Sequence, residues 1–207
     1  MGPPSRRDYS KDLYEGCEGV FNDYLSCRVL PAIQEKNDDD FMLQEFVKRW
    51  ANHKIMVTKI GRFFHTLDSY YIPRRYLPSL KEVGFGCFLE IVYGKMKVKV
   101  KDVVIALINQ ERQRNEIDGS LVKDVLQIFF EIGKENYSDY YVDDFETDFL
   151  TDTTEYYTRE GFIGITAAEC LKMEKEMGSC YFPSSIVDKL LKIVQGLEKE
   201  MTLSDEN

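Results

Sequence analysis

A stripe of large aromatic residues constrains this chain most. Tyr141, Phe145, Phe149 and then Tyr156 and Arg159 recur at helical spacings, with acids between them. The spacing predicts a long amphipathic helix over about 138–159. A single helix cannot cover such a face by itself, so the stripe requires other helices to pack on it. Hydrophobic residues make up 43% of the 207, enough for a sizeable core.

The rest of the chain supplies those helices. From Tyr9 to about residue 34, Leu13, Cys17, Val20, Tyr24 and Cys27 form one helical seam that Phe21 and Leu25 widen, and Pro31 should end or kink it. The acidic turn Asn37–Asp40 caps a helix over about 41–52. A break near Ala51-Asn52-His53 leads to a helix over about 55–72, with Ile60, Phe63, Phe64, Leu67 and Tyr71 on its buried face. Pro73 and Pro78 bracket the basic turn Arg74-Arg75. Further helices are predicted over 80–95, 100–114, 119–133, 167–178 and 184–201, with Asp118 and Thr166 as N-caps and Gly133 as a stop. Lys95 to Lys101 alternates with period two, a strand pattern, yet a lone strand has no partner and a helix start is expected. The fold class is therefore all-α, about nine helices with short connections, arranged as an elongated helical-repeat stalk. A disordered leader is expected at 1–8, a glycine-bearing loop at Gly161–Gly164 and a disordered tail at 202–207.

The composition narrows function. A net charge of −9 disfavours nucleic acid as the main partner, because phosphate recognition needs a cationic face. The lysines at 95, 97, 99 and 101 form the strongest basic patch and read as a solvated helix end. No apolar run approaches a membrane span and no secretory h-region opens the chain. Five scattered cysteines without a C-x-x-C pair read as reduced thiols in the cytoplasm or nucleus.

Catalytic constellations are not found. His53 and His65 stand twelve apart and suggest no metal site. No G-x-S-x-G occurs for a nucleophile. Asp38-Asp39-Asp40 lacks the remainder of a calcium loop. Gly84-Phe-Gly86 is a fragment of a phosphate-loop pattern without its preceding strand or third glycine. No cofactor is expected. A chain of amphipathic helices without a site is expected to work as an interaction or scaffold protein rather than an enzyme.

One stretch is more specific. Phe145-Glu146, Phe149-Leu150, Asp152-Thr153 and Tyr157-Thr158-Arg159-Glu160 closely resemble a run in the N-terminal stalk of cullins, the scaffolds of modular ubiquitin ligases. Leu13-Tyr14 and Tyr24-Leu25 resemble the third helix of the first cullin repeat, Phe46–Trp50 the fourth, and Ile60–Arg75, with Arg74-Arg75, the fifth. Val103–Arg112 is similar to a helix of the second repeat, and Asn115–Asp118, Leu121 and Val125–Gly133 follow in order. The similarity is greatest to the class that serves F-box receptors, plant versions in particular.

The resemblance implies a partial first repeat at 9–79 and a second repeat at 80–201. It implies a non-catalytic scaffold of an SCF-type ubiquitin ligase system, acting in ubiquitin-dependent protein catabolism. Its partners would be a Skp-type F-box adaptor and, through it, F-box receptors. The adaptor would lie on the exposed side of helix 55–73, at Arg62, Thr66, Ser69 and Tyr70. The resemblance starts at the family's third helix and stops within its second repeat, so the first two helices, the third repeat and the C-terminal domain are expected to be missing, and no RING-subunit binding is expected. Without the first two helices, an apolar face is expected on 9–34 and 41–52. The alternative reading is a truncated paralogue that competes for the adaptor or has lost ligase function.

Overall fold

The structure, a computed structural model, describes residues 8–135, 140–160 and 166–205, and side chains over 8–133, 140–159 and 166–199. Seven residues of the expected leader and the loop Gly161–Gly164 lie outside these residues. Among the described residues there is no strand. Ser10–Tyr24 (α1) runs through a π turn, Leu25–Val29, into Leu30–Gln34 (α2). Asp39–Phe63 is α3. A π turn at Leu67–Tyr71 leads into Ile72–Arg75 (α4). Leu80–Phe88 (α5) continues through a π turn, Leu89–Tyr93, into Gly94–Arg112 (α6). Gly119–Glu135 is α7. A π turn at Val142–Glu146 opens Thr147–Glu160 (α8), and Ala167–Tyr181 (α9) and Ser184–Asp205 (α10) follow. These segments merge into eight continuous helices among the described residues, one fewer than the sequence suggests, because 80–95 and 100–114 are a single helix.

The four π turns share one hydrogen-bond pattern, and two of them have a proline as local cause. Each closes with an N–H that donates five residues back, Leu30 to Leu25, Ile72 to Leu67, Gly94 to Leu89 and Thr147 to Val142. Pro31 and Pro73 directly follow two of these donors. A proline has no N–H for the carbonyl four residues back, so the extra residue of a π turn fits at that point. Pro31 thus marks a local widening while the helix continues. Thr147 adds its hydroxyl to the Val142 carbonyl at 3.2 Å.

The π turns also keep long stripes on one side. An α-helix turns about 100° per residue, so positions four apart drift by about 40° per step. Yet Cys17, Phe21, Leu25, Val29 and Ile33 are all buried, as are Phe88, Val92, Met96, Val100, Val104, Ile108 and Arg112, and Tyr141, Phe145, Phe149, Thr153 and Tyr157. Each stripe contains a π turn, whose additional residue offsets part of that drift. This corrects two expectations, for α1 and α8, and shows how the helical reading of Lys95–Lys101 holds. Leu13 and Val20 are exposed, and the face of α1 is Tyr14, Cys17 and Phe21. In α8 the stripe runs through Thr153 and Tyr157, while Arg159 is exposed. In α6 the alternation of Lys95–Lys101 is half real: Met96 and Val100 are buried and Val98 is exposed.

The chain divides into two compact units, 1–97 with 131–138 and 98–130 with 139–207. In the first, α1 and α3 both pack on α5. They converge at Gly84, where a Cβ would stand 2.6 Å from a Val57 methyl and 3.2 Å from the Phe21 ring. The Gly84-Phe-Gly86 fragment is thus a helix crossing. No break occurs at Ala51-Asn52-His53, because Trp50 and His53 are core residues there. The Trp50 indole N–H donates to Glu131 at 2.7 Å, and Lys54 pairs with the same carboxylate at 2.6 Å.

In the second unit, Arg112 is buried and fully engaged. Its Nε donates to Glu174 at 2.7 Å, one terminal nitrogen to the Asn109 side-chain oxygen at 2.7 Å, and the other to the Thr153 hydroxyl at 2.8 Å. The Tyr157 hydroxyl donates to the same Glu174 carboxylate at 2.7 Å. Burial first, and that carboxylate next, push the Tyr157 pKa far up. The rings of Phe149, Tyr156 and Tyr157 surround the guanidinium at 5.3 to 5.7 Å.

Two predictions follow from this packing. Gly84→Ala should destabilise by about 1–3 kcal/mol through overpacking, whereas Gly86→Ala, which meets no atom within 4 Å, should be neutral or mildly stabilising. Thermal unfolding followed by circular dichroism separates the two. Glu174→Leu leaves Arg112 buried without its counter-charge and should cost about 3–5 kcal/mol, much of it recovered in Arg112→Met/Glu174→Leu. Urea unfolding of the three proteins tests this, and equal loss in the single and double variants would contradict it.

Candidate functional site

The region around residues 62–76 is a short bent strip between two long helices of the first unit. Helix α3 ends where Phe64 leaves the helical conformation at φ −99° and ψ 28°. The Leu67 N–H then donates to the Phe64 carbonyl at 2.8 Å, and the chain turns into the π turn and α4. Tyr76, left-handed at φ 55°, ends α4 with its N–H on the Ile72 and Pro73 carbonyls. Such a residue is the usual way to satisfy terminal carbonyls, although glycine is the common choice. Ser79 and Glu82 then form a reciprocal capping box that starts α5.

Few side chains fasten the strip. Leu67 and Ile72 are its buried apolar anchors. The Asp68 carboxylate accepts the Leu80 N–H at 3.0 Å. From α1, the Tyr14 hydroxyl donates to the Pro78 carbonyl at 2.9 Å, and its ring lies 6.2 Å from that of Tyr71. Burial pushes the Tyr14 phenol up, with Glu18 the next cause, so it stays a donor. Arg75 lies over the Tyr71 ring at 5.7 Å.

The remaining side chains are turned outward. Arg62, Thr66, Ser69 and Tyr70 are all exposed, Tyr70 to 62%. Thr66 and Tyr70 line one cleft of about 450 Å³ together with Leu13, Phe64, Tyr71, Arg74 and Arg75. Arg62, on the last turn of α3, and Ser69 lie outside it. Asp8 is at the same rim, with its carboxyl held below the usual range by the Ser10 hydrogen bonds. The sequence reading missed Leu13, Phe64 and Tyr71 as cleft residues because it assigned them to buried faces. Phe63, also expected in the core, is 78% exposed. The cause is the phase of α3 itself: Phe63 is its last residue and stands six positions, about 240° of helix, beyond Val57, so it lies off the buried face that Trp50, His53 and Val57 share.

The chemistry on offer is recognition. Exposed aromatic rings beside arginine side chains suit a protein surface with apolar and acidic groups. Among the described residues, no cluster of three His, Cys, Asp or Glu side chains is arranged to hold a metal ion. No described helix is long and apolar enough to cross a membrane.

Comparison with known proteins agrees with the residues that suggested a cullin. Residues 5–200 match the Cullin alpha solenoid domain. Over 93% of its length the chain is 49% identical to cullin-1 of Oryza sativa subsp. japonica, spanning 27% of that protein. It is 44% identical to putative cullin-like protein 2 of Arabidopsis thaliana over 92% of the chain and 54% of that protein. Cullin-like protein 3 of the same plant is 33% identical over 90% of the chain and 76% of its own length. The chain thus spans about a quarter to a half of the first two. A domain match over nearly every residue, together with relatives of this identity, shows that the chain belongs to the cullin family.

Proposed function

We propose that this chain is a non-catalytic scaffold of an SCF-type ubiquitin ligase system that binds a Skp-type F-box adaptor through the 62–76 strip. The observation that carries the reading is the strip itself, in a chain of the cullin family. Leu67 and Ile72 anchor it, and Arg62, Thr66, Ser69 and Tyr70 are exposed together. The cleft beside Tyr70, with Arg74 and Arg75 at its edge, offers a socket for one partner side chain. Five free thiols suit a reducing compartment, and the reading puts the chain in the cytoplasm or nucleus. Imaging of a tagged chain checks that placement.

Calorimetric titration against a purified Skp-type adaptor–F-box complex tests the binding. The expected result is micromolar or tighter affinity. Tyr70→Ala is expected to weaken it by tenfold or more, since about 1.4 kcal/mol is a factor of ten and exposed aromatics commonly anchor interfaces. Arg62→Glu should weaken it further. A folded chain that gives no heat, or variants that bind like the parent, would overturn the assignment.

A further inference from the structure

His53 is fully buried and has no place in the recognition surface. Its ring lies among Phe21 of α1, Trp50 of α3, and Phe85 and Phe88 of α5, with centroids 5.1 to 6.4 Å away. One hydrogen bond holds it: Nε2 lies 2.8 Å from the Gly84 carbonyl. That carbonyl can only accept, so Nε2 carries the proton in the neutral ring. The other nitrogen, Nδ1, is buried and meets no hydrogen-bond partner. As an acceptor it is tolerated. Protonated, it becomes a donor and the ring a cation, with no acceptor and no counter-charge in the cage.

The surrounding charges are engaged elsewhere. On α3, Lys54 pairs with Glu131 of α7, which also takes the Trp50 N–H. On α5, Lys81 lies over the outer face of the Phe85 arrangement, 5.4 Å from that ring. Glu18 of α1 is exposed, and its field acts on Tyr14 and Cys87. The thiols of Cys17 and Cys87 are pushed up by burial, Cys87 to about 11, and stay neutral.

We propose that His53 makes the joint of α1, α3 and α5 a proton-sensitive lock. Acidification places a proton where nothing can receive it, and α5 loosens from α3 and α1. The release extends to the recognition strip, because α5 begins on the Asp68 carboxylate and the preceding Pro78 carbonyl holds Tyr14. Burial, opposed by the Gly84 bond, lowers the His53 pKa below its ordinary 6.5. The folded chain therefore resists a proton that the opened chain accepts. Stability is complete above about pH 6.5 and falls as pH drops below it. Glu45 and Glu82, whose carboxyls are lowered from 4.5, lose their contributions only at lower pH, outside this window.

Hydrogen exchange of the whole chain between pH 5 and 7.5, corrected for intrinsic rates, tests the lock without any adaptor. Opening of peptides covering 50–57 and 84–92 should rise by up to about tenfold per pH unit below 6.5, as one bound proton requires. His53→Gln, which keeps a donor for Gly84 and does not titrate, should flatten that rise. Peptides from 119–130 should not follow it. A flat wild-type profile, or the same slope in His53→Gln, overturns the proposal. If that variant does not fold, the ring resonances of wild-type His53 decide. Titration of the folded protein at the ordinary value with protection intact refutes the lock, and a titration displaced below it that accompanies opening supports it.

Discussion

The pairing of Arg112 with Glu174 is the interaction on which the second unit depends. A guanidinium cannot be left in an apolar interior, so every helix that contributes a partner is committed to one position. Asn109 and Arg112 come from α6, Thr153 and Tyr157 from α8, and Glu174 from α9. Hydrophobic residues of similar volume would hold these helices together as tightly, whereas loss of one partner alone strands a buried charge. The charge pair and its hydrogen bonds tie three helices together at one level, and the aromatic residues around it supply the apolar contact. Helix α10 then packs on α8 and α9, with Val194 beside Tyr157 and Cys170.

The first unit uses a different device. Its helices meet at Gly84, where the absence of a side chain allows the approach, and at His53, whose single bond spans the same crossing. Nothing charged is buried there. This leaves the unit dependent on close contact and on one neutral imidazole, while the exposed 62–76 strip is fastened by two apolar residues and a few hydrogen bonds. A strip of that kind presents side chains at fixed positions without contributing much to the core.

Much of this was legible in the sequence. A cap within the turn Asn37–Asp40, which the structure places at Asp38, and caps at Asp118 and Thr166 were readable because an oxygen-bearing side chain at a helix start has one local job. The all-α class followed from the aromatic stripes, and the family resemblance from Phe145 to Glu160. The face of α1 was not legible. Leu13, Val20 and Cys27 share one helical seam, and Tyr14, Phe21 and Leu25 share another, and only tertiary contact chooses between them. The end of α3 at Phe64 was hidden for a similar reason, since no proline or glycine marks it. The π turns had faint signals in Pro31 and Pro73, which read as stops, whereas a widened turn accommodates them. The four candidates Arg62, Thr66, Ser69 and Tyr70 were read as one exposed helix side, whereas only Thr66 and Tyr70 line the cleft, and Arg62 is separated from them by the break at Phe64.

Hydrogen exchange measured with and without a Skp-type adaptor–F-box complex tests the central claim most directly, because it locates the contact without a mutation. New protection confined to residues 62–76 and the neighbouring start of α1 is the predicted result. Protection that appears instead on the second unit, with 62–76 unchanged, would contradict the account.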